Sequence, residues 1–172
     1  MKKIVLLGYM GCGKSTIAKL LSEKVGIPYF DLDEIIEKKT NSSITNIFKE
    51  KGEIYFRKLE HEVFHDFMGN AGNAILGLGG GTPCYSNNHE LLKGENTVSI
   101  YLSASIDTLY SRLMLEKQHR PLLADKSEEE LKEFIAKQLF DRSFYYHQAQ
   151  HKITVDAKST AMIVSEVEKL LA

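Results

Sequence analysis

The stretch G-Y-M-G-C-G-K-S-T, residues 8–16, follows directly on the apolar run I-V-L-L at residues 4–7. It matches the phosphate-binding pattern G-x-x-x-x-G-K-[ST], which needs a strand before the loop and a helix after it. A helical pattern begins at Ser15, so both neighbouring elements are predicted in the required places. The stretch therefore predicts an α/β fold with a phosphate loop after the first strand. The alternative is a glycine-rich turn with a purely structural role.

The residue types of this loop suit the phosphates of a nucleoside triphosphate. Glycines allow the backbone to curl until successive N–H groups converge on phosphate oxygens, and the helix N-terminus that follows adds a positive dipole end. Lys14 brings a positive charge to the outer phosphates, and the Ser15 hydroxyl is placed to bind Mg²⁺. We expect nucleotide contacts from Gly11, Cys12, Gly13, Lys14, Ser15 and Thr16.

Outward from the loop, predicted strands alternate with helical patterns to the end of the chain. The strands cover residues 4–7, 28–33, 74–78, 97–102 and 152–155. Such alternation produces a parallel sheet covered on both faces, here one three-layer α/β/α domain with five strands over residues 1–172. Ligands of these sheets bind at the carboxyl ends of the strands. The residues that follow the first three strands are therefore expected to meet in one crevice.

Two carboxylates lie at the end of the second predicted strand. Asp31 and Asp33 are two positions apart, a spacing that places both side chains on the same side of a strand. Beside a phosphate loop, one carboxylate can serve the magnesium shell, and the other can accept a hydrogen bond from an attacking hydroxyl. The alternative is that one or both begin the next helix, as a cap or a first-turn acid.

Two further segments are candidates for binding an anionic or hydroxylated substrate. Arg57 and Glu60 are three positions apart on a predicted helix, so the carboxylate can hold the guanidinium in one pose for an anion; the alternative is a solvated surface pair. Gly79, Gly80 and Gly81 follow an apolar strand and leave backbone N–H groups accessible to a ligand. Their alternative is a plain flexible turn.

Three more arginines, Arg112, Arg120 and Arg142, lie around a polar stretch without apolar periodicity. We predict a mobile lid at about residues 116–127, with Arg120 in it. A lid arginine over the phosphates excludes water and neutralises charge in the transition state. The alternative is that the three arginines are solvated surface residues.

The composition excludes several classes of function. The chain carries a formal net charge of −1, with no basic run, so nucleic acid is not an expected partner. Its two cysteines are too few for a disulfide scaffold and lack metal-site spacing, which suits the cytoplasm. Cys12 is either a small residue that fills the loop or a thiol made reactive by Lys14 and nearby N–H groups. No apolar run is long enough for a signal peptide or a membrane span.

One zinc-protease pattern, H-E-x-x-H, occurs at residues 61–65. On a helix, His61 and His65 lie nearly opposite Val63, which belongs to the apolar stripe. The periodicity therefore favours a solvent-facing histidine pair over a catalytic zinc site.

Taken in order, these motifs resemble the shikimate kinases, a family within the nucleoside-monophosphate-kinase-like phosphate-loop group. The resemblance covers nearly the whole chain, and its ordered set is far more specific than any single motif. The matching pieces are G-Y-M-G-C-G-K-S-T at 8–16, F-D-L-D at 30–33, G-E-I-Y-F-R-K-L-E at 52–60, G-G-G at 79–81, R-P-L-L at 120–123, D-R-S-F-Y-Y at 141–146 and V-D-A at 155–157.

The resemblance implies a role for each candidate residue. On the acceptor side, Asp33 is expected to bind shikimate hydroxyls and act as the base or orient the attacking oxygen. Arg57 and Arg142 are expected to hold the carboxylate, with Glu60 supporting Arg57, and the Gly79–Gly81 backbone is expected to contact a hydroxyl. The helices at about residues 33–62 would form the substrate-binding region, with Ile44, Phe48 and Phe56 on its apolar side.

On the donor side, the resemblance implies that Lys14 and Arg120 contact ATP phosphates and act in catalysis. Arg112 is similar to the family's adenine-stacking arginine, and the segment after Val155 is similar to its adenine loop. Ser15 is the implied magnesium ligand, with Asp31 acting through water. Mg²⁺ is the implied cofactor and ATP the co-substrate.

The implied function is ATP-dependent phosphorylation of the shikimate 3-hydroxyl, in chorismate biosynthesis, by a cytoplasmic monomer with small-molecule partners only. Two alternatives stay open at this point. One is another small-molecule kinase of the same fold, acting on gluconate or a nucleotide. The other is a non-catalytic nucleotide-binding regulator.

Overall fold

The structure, a computed structural model, describes residues 1–116 and 123–172 of the chain. Within these residues, five strands pair in parallel in the spatial order β2-β3-β1-β4-β5. They are β1 (Lys3–Leu7), β2 (Tyr29–Asp31), β3 (Ala74–Gly77), β4 (Thr97–Ser103) and β5 (His151–Thr154). Every residue of β1 and β3 is buried, which requires cover on both faces. The predicted five-stranded parallel sheet of an α/β/α domain is confirmed.

The helices of the described residues pack in pairs beside the sheet: α1 with α6, α2 with α3, and α4 with α5. Their bounds are α1 (Lys14–Val25), α2 (Leu32–Thr40), α3 (Ile44–Asn70), α4 (Ile106–Glu116), α5 (Glu128–Tyr146) and α6 (Thr160–Leu171). Short 3₁₀ helices cover Thr82–Cys84 and Asn88–Lys93. None of the helices in these two parts of the chain is both long and apolar enough to cross a membrane.

Local sequence signals explain where several helices begin and end. Ser127 and Glu130 form the capping box at the start of α5, so two otherwise unsatisfied N–H groups are paired. Gly26, with φ at 70°, ends α1 in the left-handed conformation that glycine adopts without a steric penalty. Gly52, with φ at 84°, interrupts the helical backbone of α3 and divides the helix into two parts.

The predicted extent of the second strand is wrong. The sequence pattern extends this strand to Asp33, but β2 ends at Asp31, and α2 begins at Leu32. The Asp31 carboxylate accepts a hydrogen bond from the backbone N–H of Glu34 at 3.1 Å and so caps the helix. Asp33 consequently lies in the first helical turn. The same-side strand geometry proposed for the two aspartates does not exist.

Candidate active site

The carboxyl ends of the first three strands meet at one edge of the sheet, as predicted. β1 pairs with β3, and β3 pairs with β2, so the phosphate loop, the start of α2 and Gly79–Gly81 are neighbours. A cavity of about 700 Å³ opens along this edge. Among its lining residues are the phosphate-loop residues Gly11, Cys12, Gly13, Lys14, Ser15 and Thr16, together with Asp31, Asp33, Gly79, Gly80, Arg112, Lys158, Ser159 and Thr160.

The phosphate loop has the backbone that its pattern predicts. Gly11 and Gly13 have φ values of 84° and 99°, in the region where a side chain would be strained. The Lys14 ammonium folds back over the loop and donates hydrogen bonds to the carbonyl oxygens of Gly8 at 2.5 Å and Tyr9 at 3.1 Å. Cys12 is buried inside the turn, in agreement with a residue that fills space. The lysine charge is therefore held in the wall of the cavity, beside the phosphate loop.

Arg112 lies beside this loop. Its guanidinium donates a hydrogen bond from Nη1 to the carbonyl oxygen of Gly11 at 3.2 Å. The loop between β5 and α6 lines the same cavity through Lys158, Ser159 and Thr160. The two segments that the resemblance linked to the adenine therefore lie beside the same cavity as the phosphate loop.

Ser15 and Asp31 line the same cavity, and the Tyr29 hydroxyl donates to Asp31 Oδ2 at 3.3 Å. A hydroxyl and a single carboxylate, both oxygen donors, fit Mg²⁺, which keeps waters and takes the rest of its ligands from phosphates. The parts of the chain that the structure describes contain no group of three or more His, Cys, Asp or Glu side chains arranged for a metal. The donor set therefore suits a cation that arrives with its nucleotide.

The Asp33 carboxylate lies against Gly79 in the wall of the cavity. Its carboxylate oxygens lie 3.4 and 3.5 Å from the position that a Cβ atom would take at Gly79. Burial, together with the negative charges of Asp31, Glu60 and Glu37, raises the pKa of Asp33 from 3.8 to about 6, and Lys14 opposes the shift. A carboxyl group with this pKa is mainly ionised at neutral pH and close to the range of an effective general base.

The two other predicted substrate ligands lie against the next glycines. A Cβ atom at Gly80 would lie 3.0 Å from Arg142 Nη1, and one at Gly81 would lie 2.8 Å from Arg57 Nη2. Three consecutive residues without side chains thus leave room for one carboxylate and two guanidinium groups. The structure therefore brings Asp33, Arg57 and Arg142 together. The Gly79–Gly81 segment is not a free turn, because the N–H groups of Thr82 and Cys84 donate hydrogen bonds to the carbonyl oxygens of Gly79 and Gly81.

Glu60 is buried, with an exposed fraction of 1%, so the alternative of a solvated surface pair with Arg57 is wrong. Its Oε1 accepts from Arg57 Nη1 at 3.0 Å, and its Oε2 accepts from the Thr82 hydroxyl at 2.8 Å. Burial raises the pKa of Glu60, and Arg57 offsets part of that shift. Phe48 and Phe56, whose ring centroids are 4.5 Å apart, lie beside the same guanidinium.

Sequence reasoning missed several residues that complete the site. Tyr146, which is fully buried, donates to the carbonyl oxygen of Gly80 at 2.6 Å, and its oxygen accepts from Arg142 Nη1 at 3.5 Å. No role in the site is predicted for Tyr146, although its spacing of four from Arg142 on a helix is typical of side chains in contact. Thr82, Tyr85 and Tyr29 gave no comparable signal.

One sequence prediction concerns residues that the structure does not describe, and another is wrong. Arg120 and residues 117–122 of the lid predicted at about residues 116–127 lie outside the described residues. The prediction that His61 points to solvent is wrong: it is half-buried, and its Nδ1 is 2.7 Å from Asn88 Oδ1. His65 is exposed, as predicted.

Comparisons with known proteins agree with this geometry. A family model described as shikimate kinase matches residues 10–172. A shikimate kinase of Flavobacterium johnsoniae is 61% identical over 172 residues, the whole of both chains. One from Bacteroides thetaiotaomicron is 36% identical over 99% of this chain and 97% of its own.

Solved structures give the same result. The crystal structure of shikimate kinase from Bacteroides thetaiotaomicron has a TM-score of 0.91 and 34% identity, and covers 99% of this chain and 98% of its own. That of Acinetobacter baumannii in complex with shikimate has a TM-score of 0.85 and 28% identity, with 99% and 93% covered. The sequence comparisons and the structural comparison agree over essentially the full chain, and the chain belongs to the shikimate kinase family.

Proposed function

We propose that this enzyme transfers the γ-phosphoryl group of ATP to the 3-hydroxyl of shikimate, which gives shikimate 3-phosphate and ADP for aromatic amino-acid (chorismate) biosynthesis. One observation carries the proposal: Asp33, Arg142 and Arg57 each lie against one glycine of Gly79–Gly81, next to a phosphate loop. A hydroxylated carboxylic acid needs this combination of an acceptor carboxylate and guanidinium groups.

On the acceptor side, Arg57 and Arg142 bind the carboxylate of shikimate, and Glu60 holds the Arg57 guanidinium through its Nη1. The Gly79–Gly81 backbone contacts a substrate hydroxyl. Asp33 accepts the proton of the attacking hydroxyl, whose oxygen forms the new bond to phosphorus while the bond between the γ-phosphorus and the bridging oxygen breaks. ADP leaves with the electron pair of that bond.

On the donor side, Gly11, Cys12, Gly13, Lys14, Ser15 and Thr16 bind the phosphates through N–H groups, a hydroxyl and one ammonium. Lys14 exchanges its carbonyl contacts for phosphate oxygens, and Arg112 lies where the nucleoside would pack. The roles predicted for Arg120, as a contact to the ATP phosphates, and for the lid, as a cover that excludes water, remain predictions. Catalysis on this reading is positioning plus charge neutralisation.

Ser15 and Asp31 are the residues that would hold Mg²⁺, Asp31 through water. The ion would supply positive charge to the phosphate oxygens as negative charge develops on the leaving group. Tyr29 orients the Asp31 carboxylate through its hydroxyl. We further propose that the enzyme is a cytoplasmic monomer with small-molecule partners only. Light scattering coupled to gel filtration would measure its oligomeric state.

Measurement of ADP release with and without shikimate tests the proposal, and phosphorus NMR of the product identifies the 3-phosphate. We expect ADP release to depend on shikimate and to remain at background with gluconate or a nucleoside monophosphate. Faster release with either of those acceptors would assign the protein to another kinase activity. ATP binding with no release under any condition would favour a nucleotide-binding regulator.

A further inference from the structure

Arg57 has a neighbour that the proposed mechanism leaves unused. The centre of its guanidinium, Cζ, lies 4.0 Å from the ring centroid of Tyr85, compared with 5.2 Å from Phe56 and 5.9 Å from Phe48. A cation at this distance is in direct contact with a ring and is attracted by its π electrons. Tyr85 therefore covers the guanidinium that Glu60 holds by its Nη1.

Glu53 connects the same two side chains. Its Oε1 accepts a hydrogen bond from the Tyr85 hydroxyl at 3.2 Å and lies 3.7 Å from Arg57 Nε. Arg57 Nε is buried and has no hydrogen-bond partner within the described residues. A buried N–H donor favours a nearby acceptor, so the Glu53 carboxylate is placed to orient both the ring and the guanidinium.

The backbone around Tyr85 is held in place. Ser86 and Asn87 follow it with φ values of 52° and 56°, a conformation that residues other than glycine seldom adopt. Buried Asn88 fixes the end of this turn, because its Nδ2 donates to the carbonyl oxygen of Thr82 at 2.9 Å and its Oδ1 pairs with His61. The ring thus reaches Arg57 from a fixed turn.

We propose that Tyr85 and Glu53 are positioning residues for the carboxylate subsite. Glu60 holds the guanidinium by Nη1, Tyr85 covers it, and Glu53 holds Tyr85, so that the Nη2 side is kept beside Gly81. The identity of the bound carboxylate rests on the proposed function. The positioning of Arg57 does not, because it follows from contacts within the chain.

Steady-state kinetics of Tyr85→Leu, Tyr85→Phe and Glu53→Gln test the inference, with Tyr55→Leu as the matched control. Tyr55 is an exposed tyrosine on the same helix as Arg57, and its ring lies 5.9 Å from the Lys51 ammonium. We expect Tyr85→Leu to raise the KM for shikimate about three- to tenfold while the KM for ATP and kcat stay near wild type. Tyr85→Phe should restore most of the affinity because it keeps the ring.

A second readout does not depend on turnover. The Nε–H resonance of Arg57 in ¹⁵N-labelled protein, assigned by its loss in Arg57→Lys, should shift in Tyr85→Leu and Glu53→Gln but not in Tyr55→Leu. An unmoved resonance, or equal changes in the KM for both substrates, would overturn the inference. Failure of the wild type to phosphorylate shikimate would instead overturn the proposed function, and the resonance would still decide whether Tyr85 positions Arg57.

Discussion

Tyr146 donates its phenolic hydrogen to the carbonyl oxygen of Gly80 at 2.6 Å, which ties helix α5 to the glycine segment of the site. The hydroxyl is buried, and burial raises the pKa of Tyr146 because the phenolate would lose its hydration. The same oxygen accepts from Arg142. One buried hydroxyl therefore sets both a backbone position and a guanidinium.

Tyr146→Phe removes this hydroxyl and leaves the Gly80 carbonyl without its donor. We expect a loss of stability of about 1–3 kcal/mol, seen as a lower unfolding midpoint in urea, and a KM that rises more for shikimate than for ATP. Tyr145→Phe, one position earlier on the same helix, is the control and should change neither. A fully stable Tyr146→Phe enzyme with normal kinetics would contradict the role given to the hydroxyl.

Asp33→Asn should separate ATP binding from transfer. We expect ATP affinity near wild type and a fall in kcat of about 10²- to 10⁴-fold, the range attributed to general base catalysis. The wild-type rate should also fall as the pH drops through about 6, because the carboxylate then takes up a proton. Near-normal turnover of Asp33→Asn would exclude the proposed role.

The same substitution has a predictable effect on stability. The pKa of Asp33 is raised from 3.8 to about 6 in the folded protein, so the folded state binds more protons between those values, and stability falls as the pH rises through them. The uncharged amide of the Asp33→Asn variant does not carry this cost. Urea unfolding should show the variant more stable than wild type by up to about 3 kcal/mol at pH 7.5 and equal to it near pH 3. Glu34→Gln, an exposed neighbour, should show no such gain.

Gly81→Ala tests the fit between the glycine segment and Arg57. The backbone of Gly81 has φ at −93° and accepts a side chain, but its Cβ would lie 2.8 Å from Arg57 Nη2. The guanidinium must move, so we expect the KM for shikimate to rise at least about tenfold, since small misplacements of a binding group are costly. Gly69→Ala, where nothing lies within 4 Å, should be neutral or slightly stabilising. An unchanged KM for shikimate in Gly81→Ala would show that Arg57 does not need this position.

Arg57→Ala should raise the KM for shikimate strongly and leave the affinity for ATP almost unchanged, because the guanidinium lies against Gly81 and Glu60 on the acceptor side. Lys58→Ala, a neighbouring cation on the same helix, controls for the loss of one positive charge. Equal losses for the two substrates in Arg57→Ala would contradict a carboxylate clamp.

The sequence could predict the parts of the site that depend on local pattern. The phosphate loop, the five strands and the Arg57–Glu60 pair all follow from periodicity or from spacing along one helix. The sequence left open whether Asp31 and Asp33 end a strand or begin a helix. The capping hydrogen bond from the Glu34 N–H to the Asp31 carboxylate decides for the helix, because it competes with continuation of the strand.

Contacts between segments that are far apart in the chain could not be predicted from local sequence patterns. Tyr85 reaches Arg57 from a turn much later in the chain, and the Asn88 side chain pairs with His61. No periodicity encodes these pairs, because tertiary packing alone brings the segments together. The same packing turned a histidine expected in solvent into a half-buried hydrogen-bonding group.

The pairing of β1 with β3 has a consequence for the reaction itself. Leu6 lies opposite Gly77, and the Gly8 carbonyl oxygen is 3.8 Å from the Cβ position of Gly80, so donor and acceptor loops face each other across one strand-to-strand spacing. A slip of this pairing by one residue would displace the loops by about 3.3 Å, well beyond the tolerance of about 1 Å for productive alignment. The apolar side chains that fix the alignment of two buried strands thereby set the distance over which a phosphoryl group has to travel.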